Sequence, residues 1–311
     1  MKLSHEQIIF LTYLTDYDIP FIYRCIDAVG KKAPTIDELT AFAIGLSSST
    51  SIKGIDERVV KALAKTREAI DKLKFYDITP ILYTDRQYPK LLHNLKDKPP
   101  ILYLKGKLKN KPLAAVVGSR DISAHAARMT ISIVDKLLEY NFGIASGLAL
   151  GIDTIAHYRA VQRNAYTIAV LPNSLEKIYP NENFSLATSI LEKGGALVSE
   201  LIFGINRGKR SFVQRNRIQS GISNLVVPVE MGRESGTMHT IDFAMRQKRK
   251  IFLLSRRPDA TTENDGVQFL IEKFSKTNPE NVFVIKGIND FIKHLAAESG
   301  NDGLGFQTQL F

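Results

Sequence analysis

The chain has 311 residues, 44% hydrophobic and 24% charged, a composition that excludes general disorder and leaves room for about two domains. Its 42 lysines and arginines against 32 acids give a formal charge of +10, which points to an anionic partner, nucleic acid or a membrane surface. A single cysteine, Cys25, excludes an internal disulfide and a cysteine-based zinc cage; no apolar run suits a signal peptide or membrane span, so cytoplasm is the expected compartment.

Residues 1–77 read as a small all-helical domain. Apolar positions recur at spacings of three and four in HEQIIFLTYLT, IPFIYRCIDAVG and IDERVVKALAKTREAIDKLK, with a loop at SSSTS, Ser47 to Ser51. From Met1 to Ile78 there are eleven Lys plus Arg and eleven Asp plus Glu, so the surplus cations all follow Ile78. This first segment is expected to pack or oligomerise, and an anion is expected to bind elsewhere.

From about Ile78 the period changes. Short apolar runs at PLAAVVGS, FGIASG, YTIAVLP, GALVSE, NLVVPVE, KIFLLS and VFVI read as strands. They alternate with helical patterns at Ser123–Tyr140, Ile152–Gln162, Phe184–Glu192, Thr240–Gln247 and Val267–Phe274. That alternation predicts an α/β fold over 78–298: an extended Rossmann-like, doubly wound and mostly parallel sheet. Residues 299–311 read as a flexible tail.

In such a sheet, ligands sit beyond the carboxyl ends of the strands. Those ends carry small-residue turns: Gly118-Ser119-Arg120, Ser146-Gly147, Pro172-Asn173-Ser174 and the stretch from Gly232 to Thr237, which includes Ser235 and Gly236. Small residues let backbone amides approach an oxygen, and helix N-termini favour negative charge, so this rim is expected to bind phosphate. Neither G-x-G-x-x-G nor G-x-x-x-x-G-K-[ST] is present, which argues against a dinucleotide fold and a P-loop nucleotidase. Arg120 is placed to form a fork with a phosphate, while Ser119, Ser146 and Gly147 are expected to donate backbone or hydroxyl hydrogen bonds.

Between Arg207 and Arg217 stand five cations and no acid, with Phe212 among them. Cations that track a backbone, beside a ring for a base to stack on, suit a single strand. The readings are a stacking or core role for Phe212, backbone contacts from Arg215 and Arg217, and a phosphate-side or turn-forming Asn216. Arg246, Lys248, Arg249 and Lys250 complement a helix C-terminus. Asp153 reads as a helix cap and His157, one turn later, as a structural histidine. No second histidine is placed to share a metal, and no catalytic residue, cofactor or metal is expected.

The blocks VVGSR, SGLALGIDTIAH, TIAVLPNSLEKIYPNEN, GGALVSE, FVQRNRIQSGIS and VVPVEMGRESGTMHTIDFAMRQKRKIF resemble, in order and spacing, the DNA-processing protein A (DprA/Smf) family. The helical N-terminus looks like the sterile-alpha-motif-like domain of that family. The resemblance implies a non-enzymatic, homodimeric protein that protects incoming single-stranded DNA and loads RecA recombinase in natural transformation. It departs at Leu150, where the family commonly has arginine. The terminal QTQLF resembles a sliding-clamp-binding peptide, with Gln307, Leu310 and Phe311 as its contacts, or is an inert end. The sheet also resembles phosphoribohydrolases, but where their glutamate would stand this chain has Thr240, and Asp242 lies roughly 200° further round the helix. A nucleotide-sensing module of a defence system is the other alternative.

Overall fold

A computed structural model of the chain describes residues 3–29, 34–46, 55–255, 265–277 and 279–300. Four helices come first: α1 (His5–Thr15), α2 (Ile19–Ala28), α3 (Ile36–Leu46) and α4 (Ile55–Phe75). The Ser4 hydroxyl accepts from the Gln7 amide while the Gln7 side chain accepts from the Ser4 amide, so α1 opens on a reciprocal cap. It ends where Asp16 turns left-handed, at φ 52°.

Nine strands follow among the described residues: β1 (Thr79–Leu82), β2 (Ile101–Gly106), β3 (Leu113–Val117), β4 (Gly143–Ser146), β5 (Thr167–Val170), β6 (Ala196–Ser199), β7 (Leu225–Pro228), β8 (Lys250–Leu254) and β9 (Val282–Ile285). They form one sheet in the order β1-β2-β6-β5-β4-β3-β7-β8-β9. Strands β3 to β9 are parallel, while β2 lies antiparallel to both β1 and β6. The intervening helices are α5 (Ala124–Glu139), α6 (Ile152–Gln162), α7 (Phe184–Glu192), α8 (Lys209–Gly221), α9 (Thr237–Arg246), α10 (Gly266–Thr277) and α11 (Ile288–Gly300).

The central strands are apolar throughout because both faces are covered. Ala114 and Val116 of β3 pack with Ile133 and Val134 of α5 and Ala156 of α6. Ala115 and Val117 point the other way, toward Ile241 and Ala244 of α9 and Leu270 of α10. Helices α1 to α4 share an apolar cluster with α7 and with Tyr103, Ala169 and Leu197 of the sheet. The sheet is the mostly parallel α/β arrangement expected. The chain winds outward from β3 to β6, then returns across β3 to β7, which leaves a crevice at the carboxyl ends of β3 and β7.

Five elements go beyond the segments read from sequence: β1, β2, α3, α8 and α11. Strands β1 and β2 pair through an antiparallel ladder and need no crossover helix, so they lack the alternating signal that marks the other seven. Helix α8 lies where no helix was expected. Its buried face is polar, with Ser211, Arg215, Asn216, Arg217, Gln219 and Ser220, so no apolar stripe betrays it.

Candidate nucleic-acid interface

The crevice is a cleft of about 730 Å³, walled by the turn after β3, the turn after β7 and the first half of α8. A side hollow of about 170 Å³ shares Arg120, Ala149, Phe212 and Arg215 with it and extends to Tyr179 and Leu150. The two turns are stitched together. The Ser119 amide donates to the Glu230 carbonyl (2.7 Å), and the Thr237 hydroxyl donates to the Gly118 carbonyl (3.1 Å). A Cβ on Gly118 would lie 2.4 Å from Ile152 and 2.8 Å from the Glu230 carbonyl oxygen, so only glycine lets the turns close. Buried Glu230 accepts from the Ser123 amide and hydroxyl at 2.9 and 2.6 Å, holding the start of α5.

The turn after β4 behaves differently from the sequence expectation. The Ser146 hydroxyl is buried and donates to the Val116 carbonyl (2.7 Å), and the Gly147 amide donates to Asp153 (2.9 Å). Neither group is presented to a phosphate, because Ser146 ties β4 to β3 and Gly147 closes the turn onto Asp153. Asp153 is likewise not the helix cap, a position held by Gly151. What Gly147 provides is space. A Cβ there would stand 1.5 Å from Nη1 of Arg215, so the guanidinium occupies the space a side chain would take.

Arg215 is 7% exposed; its Nη1 donates to the Val170 carbonyl (2.8 Å), and its buried Nε has no hydrogen-bond partner. Burial pushes its pKa below the ordinary arginine value, Asp153 opposes that, and the charge of Arg120 adds to it. Two cations therefore face one cleft and repel each other, a cost that an incoming anion would relieve. Arg120 itself is exposed, with its guanidinium 5.7 Å from the centre of the Phe212 ring. Phe212 is half-buried and meets Tyr179 edge-on, at 5.5 Å and 74°. Tyr179 is 47% exposed and Leu150 40%, so the lip offers aromatic and apolar surface beside the arginines. Tyr179 was missed from sequence, although it stands in the block TIAVLPNSLEKIYPNEN.

Arg217 needs a correction. At about 100° per residue it lies some 200° round α8 from Arg215, which turns it into the interior. It is 0% exposed, with Nη2 at 2.5 Å from Glu200 and Nε at 3.1 Å from Asp97. The Tyr17 hydroxyl donates to the same Glu200 oxygen at 2.6 Å. Burial opposes the charge of Arg217, but Glu200, Tyr17 and Asp97 outweigh it and raise its pKa. Arg217 thus joins the N-terminal helices to α8 and does not reach a backbone in solvent.

Asn216 donates to the Gly236 carbonyl (3.2 Å), and the Ser235 hydroxyl accepts from the Thr237 amide (3.2 Å). Ser119, Ser235 and Gly236 stay on the cleft wall. Thr240 lines the cleft, and Asp242, two residues on, is exposed outside it. His157 lies buried beneath, with Nδ1 2.7 Å from the Thr167 hydroxyl. Burial drives its pKa down to about 3, and Arg215 adds to the shift. Among the described residues no group of three or more His, Cys, Asp or Glu could hold a metal, and no helix is long and apolar enough to cross a membrane. Gln307, Leu310, Phe311 and the Ser47–Ser51 loop lie outside the described residues.

Comparison with known proteins agrees with this geometry. The family model of DNA recombination-mediator protein A matches residues 79–287. Protein Smf of Escherichia coli is 38% identical over 199 residues, 63% of this chain and 53% of that one, so the chain spans about half the length of such curated relatives. The structure of DNA processing protein A from Streptococcus pneumoniae superposes with a TM-score of 0.75 at 26% identity, covering 94% of this chain and 98% of that one. A structure of DNA processing protein A from Helicobacter pylori, which addresses the single-stranded DNA binding mode of that protein, gives a TM-score of 0.61 at 29% identity and covers 71% and 96%.

Proposed function

The chain belongs to the DNA recombination-mediator protein A family, and from that premise we propose that its carboxyl rim binds single-stranded DNA without sequence preference. The observation that carries this reading is the convergence of Arg120, Arg215, Phe212 and Tyr179 on one open lip. Arg120 forms no ion pair among the described residues, and Arg215 has a buried Nε without an acceptor. A phosphate at the lip pairs with Arg120 and offsets its repulsion with Arg215, and the rings offer a base a face that duplex DNA has already filled by stacking. The single-strand binding of the Helicobacter pylori homologue supports the same reading.

On the family resemblance, the strand held here is incoming DNA, the protein acts as a homodimer in the cytoplasm, and RecA recombinase is loaded onto the bound strand. The QTQLF end is proposed to hook the sliding clamp. The role is binding, not catalysis: the cleft has Thr240 in place of a sugar-side carboxylate, and buried Glu230 is engaged by Ser123.

Fluorescence anisotropy with oligothymidine at two salt concentrations tests the reading. Affinity is expected to fall steeply with salt, and Arg120→Ala and Arg215→Ala are each expected to lose at least tenfold. Equal affinity for duplex and single strand, or no response to either substitution, would overturn it. Release of free base from nucleoside monophosphates would instead establish an enzyme.

A further inference from the structure

The cleft does not account for every free cation. No acid stands between Asp97 and Asp121, yet that stretch holds Lys98, Lys105, Lys107, Lys109, Lys111 and Arg120. Four of these six cluster in one connection, from the end of β2 to the start of β3. Because β2 is antiparallel to β6, this connection runs along the amino-terminal rim of the parallel strands, opposite the cleft.

Its path is fixed by the strands it crosses. The Lys107 amide donates to the carbonyl of Gly195, just before β6. The Tyr166 hydroxyl, just before β5, donates to the Lys107 carbonyl (2.9 Å) and accepts from the Lys109 amide (2.9 Å). The Pro112 carbonyl accepts from the amide of Gly143, the first residue of β4. The chain thus passes β6, β5 and β4 in turn. Four strand spacings amount to about 19 Å, which the seven Cα steps from Gly106 to Leu113 cover with little slack. Gly106, at φ +93°, makes the entry possible, since a Cβ would stand 2.4 Å from the Gly195 carbonyl oxygen.

A clamped chain presents its lysines in a fixed row. Lys107 and Lys109 are exposed, and Lys193, at the end of α7 next to the Gly194 that faces Lys109, is exposed beside them. Lys109 also lies over the Tyr166 ring, 5.0 Å from its centre. Burial lowers the pKa of Lys111, and the charge of Lys109 lowers it further, so these ammonium groups already feel one another. Among the described residues none of Lys105, Lys107, Lys109, Lys111 and Lys193 forms an ion pair with an acid. Glu192, exposed next to Lys193 in the chain, forms no ion pair with any of them.

We infer that the lysine crossover is a second polyanion-binding surface, which takes the sugar–phosphate backbone of a DNA single strand that extends beyond the cleft. The inference rests on the single-strand reading of the cleft and deepens it. Lysines strung along a crossover of about 19 Å fit a chain of phosphates better than one compact anion. The two rims are roughly 15 Å apart through the sheet, and because helices cover both faces, only a strand long enough to pass round them reaches both.

The test uses the full chain with Lys107, Lys109 and Lys193 changed together to Gln. Binding is measured across salt concentrations with a short oligothymidine of about six nucleotides and a long one of about forty. The short probe is expected to bind the variant as it binds the parent protein. For the long probe, affinity is expected to fall at least tenfold and the salt slope by about 2, one counterion for each lost contact at ~0.7 each. The matching Lys→Arg variant is expected to restore both. Unchanged long-probe binding overturns the inference, and so does an equal loss for both probes. Loss of binding to phosphatidylglycerol vesicles with DNA binding intact would also overturn it, in favour of a lipid surface. Arg120→Ala separates the two readings: if it weakens neither probe, the cleft reading fails, whatever the lysines do.

Discussion

Arg215 and Arg217 stand two residues apart on one helix and meet opposite environments. Arg217 faces two carboxylates and, through Glu200, a tyrosine, all from distant parts of the chain, so its charge is balanced within the fold. Arg215 faces a backbone carbonyl, a glycine surface and a second arginine, with Asp153 as the one acid that lowers the cost of its charge. The difference separates a cation that the fold neutralises from one that it leaves short of counter-charge. Burial does not separate the two, since both are nearly inaccessible; what separates them is whether the protein supplies the counter-charge.

Breaking the balanced side should have the largest effect. Glu200→Ala leaves Arg217 buried against the more exposed Asp97 alone, and stability is expected to fall by about 3–5 kcal/mol in denaturant unfolding. In the protein that remains folded, the salt slope of DNA binding should hold. A changed slope would mean that the two faces of α8 do not act separately. On the cleft side, Gly147→Ala drives a methyl into the Arg215 guanidinium and is expected to cost about 1–3 kcal/mol of stability by overpacking. Its oligothymidine affinity should match that of Arg215→Ala. If Gly147→Ala binds like the parent protein, then Arg215 need not lie where it does.

The aromatic lip sharpens the comparison further, because it adds affinity without charge. Phe212→Ala and Tyr179→Ala are each expected to cost about 1–2 kcal/mol of binding and to leave the salt slope unaltered. A slope change in either would reassign the ring to holding Arg120 in place, through the contact of Arg120 with Phe212.

The same contrast marks what could be read from sequence. The parallel strands announce themselves because both their faces are apolar, and the turns after β3 and β7 follow from the Gly and Ser residues that end them. Helix α8 does not, because its buried positions are largely arginine, asparagine, glutamine and serine, and the groups that hold Asn216 and Arg217 there come from outside the helix. Read as a linear stretch, Arg215 and Arg217 look equivalent; read as a helix, they point 200° apart, and only the fold reveals that Glu200 and Asp97 wait on one side. Ser146 and Gly147 show the opposite error. Small residues at a strand end suggest open amides, yet Asp153 and the Val116 carbonyl already take what they donate.

The smallest effect expected is a pH dependence beneath the cleft floor. His157 is buried against Thr167, and its pKa is held near 3 by burial, with Arg215 adding to the shift. The unfolded chain returns it to about 6.5. A histidine depressed on folding contributes stability that is fully present above 6.5 and lost as pH falls toward 3, because below 6.5 the unfolded chain binds a proton that the native state refuses. From pH 7 to 5.5 the loss is about 1 kcal/mol. Asp153, raised chiefly by burial, acts with the opposite sign, since its native form takes a proton before the unfolded chain does. Unfolding curves of the parent protein and of His157→Gln over that interval, subtracted from each other, cancel the Asp153 contribution and leave the histidine alone. A difference that stays flat with pH would show that the imidazole can take a proton where it lies, and that the floor under Arg215 tolerates a second cation as readily as the wall around Arg217 tolerates its carboxylates.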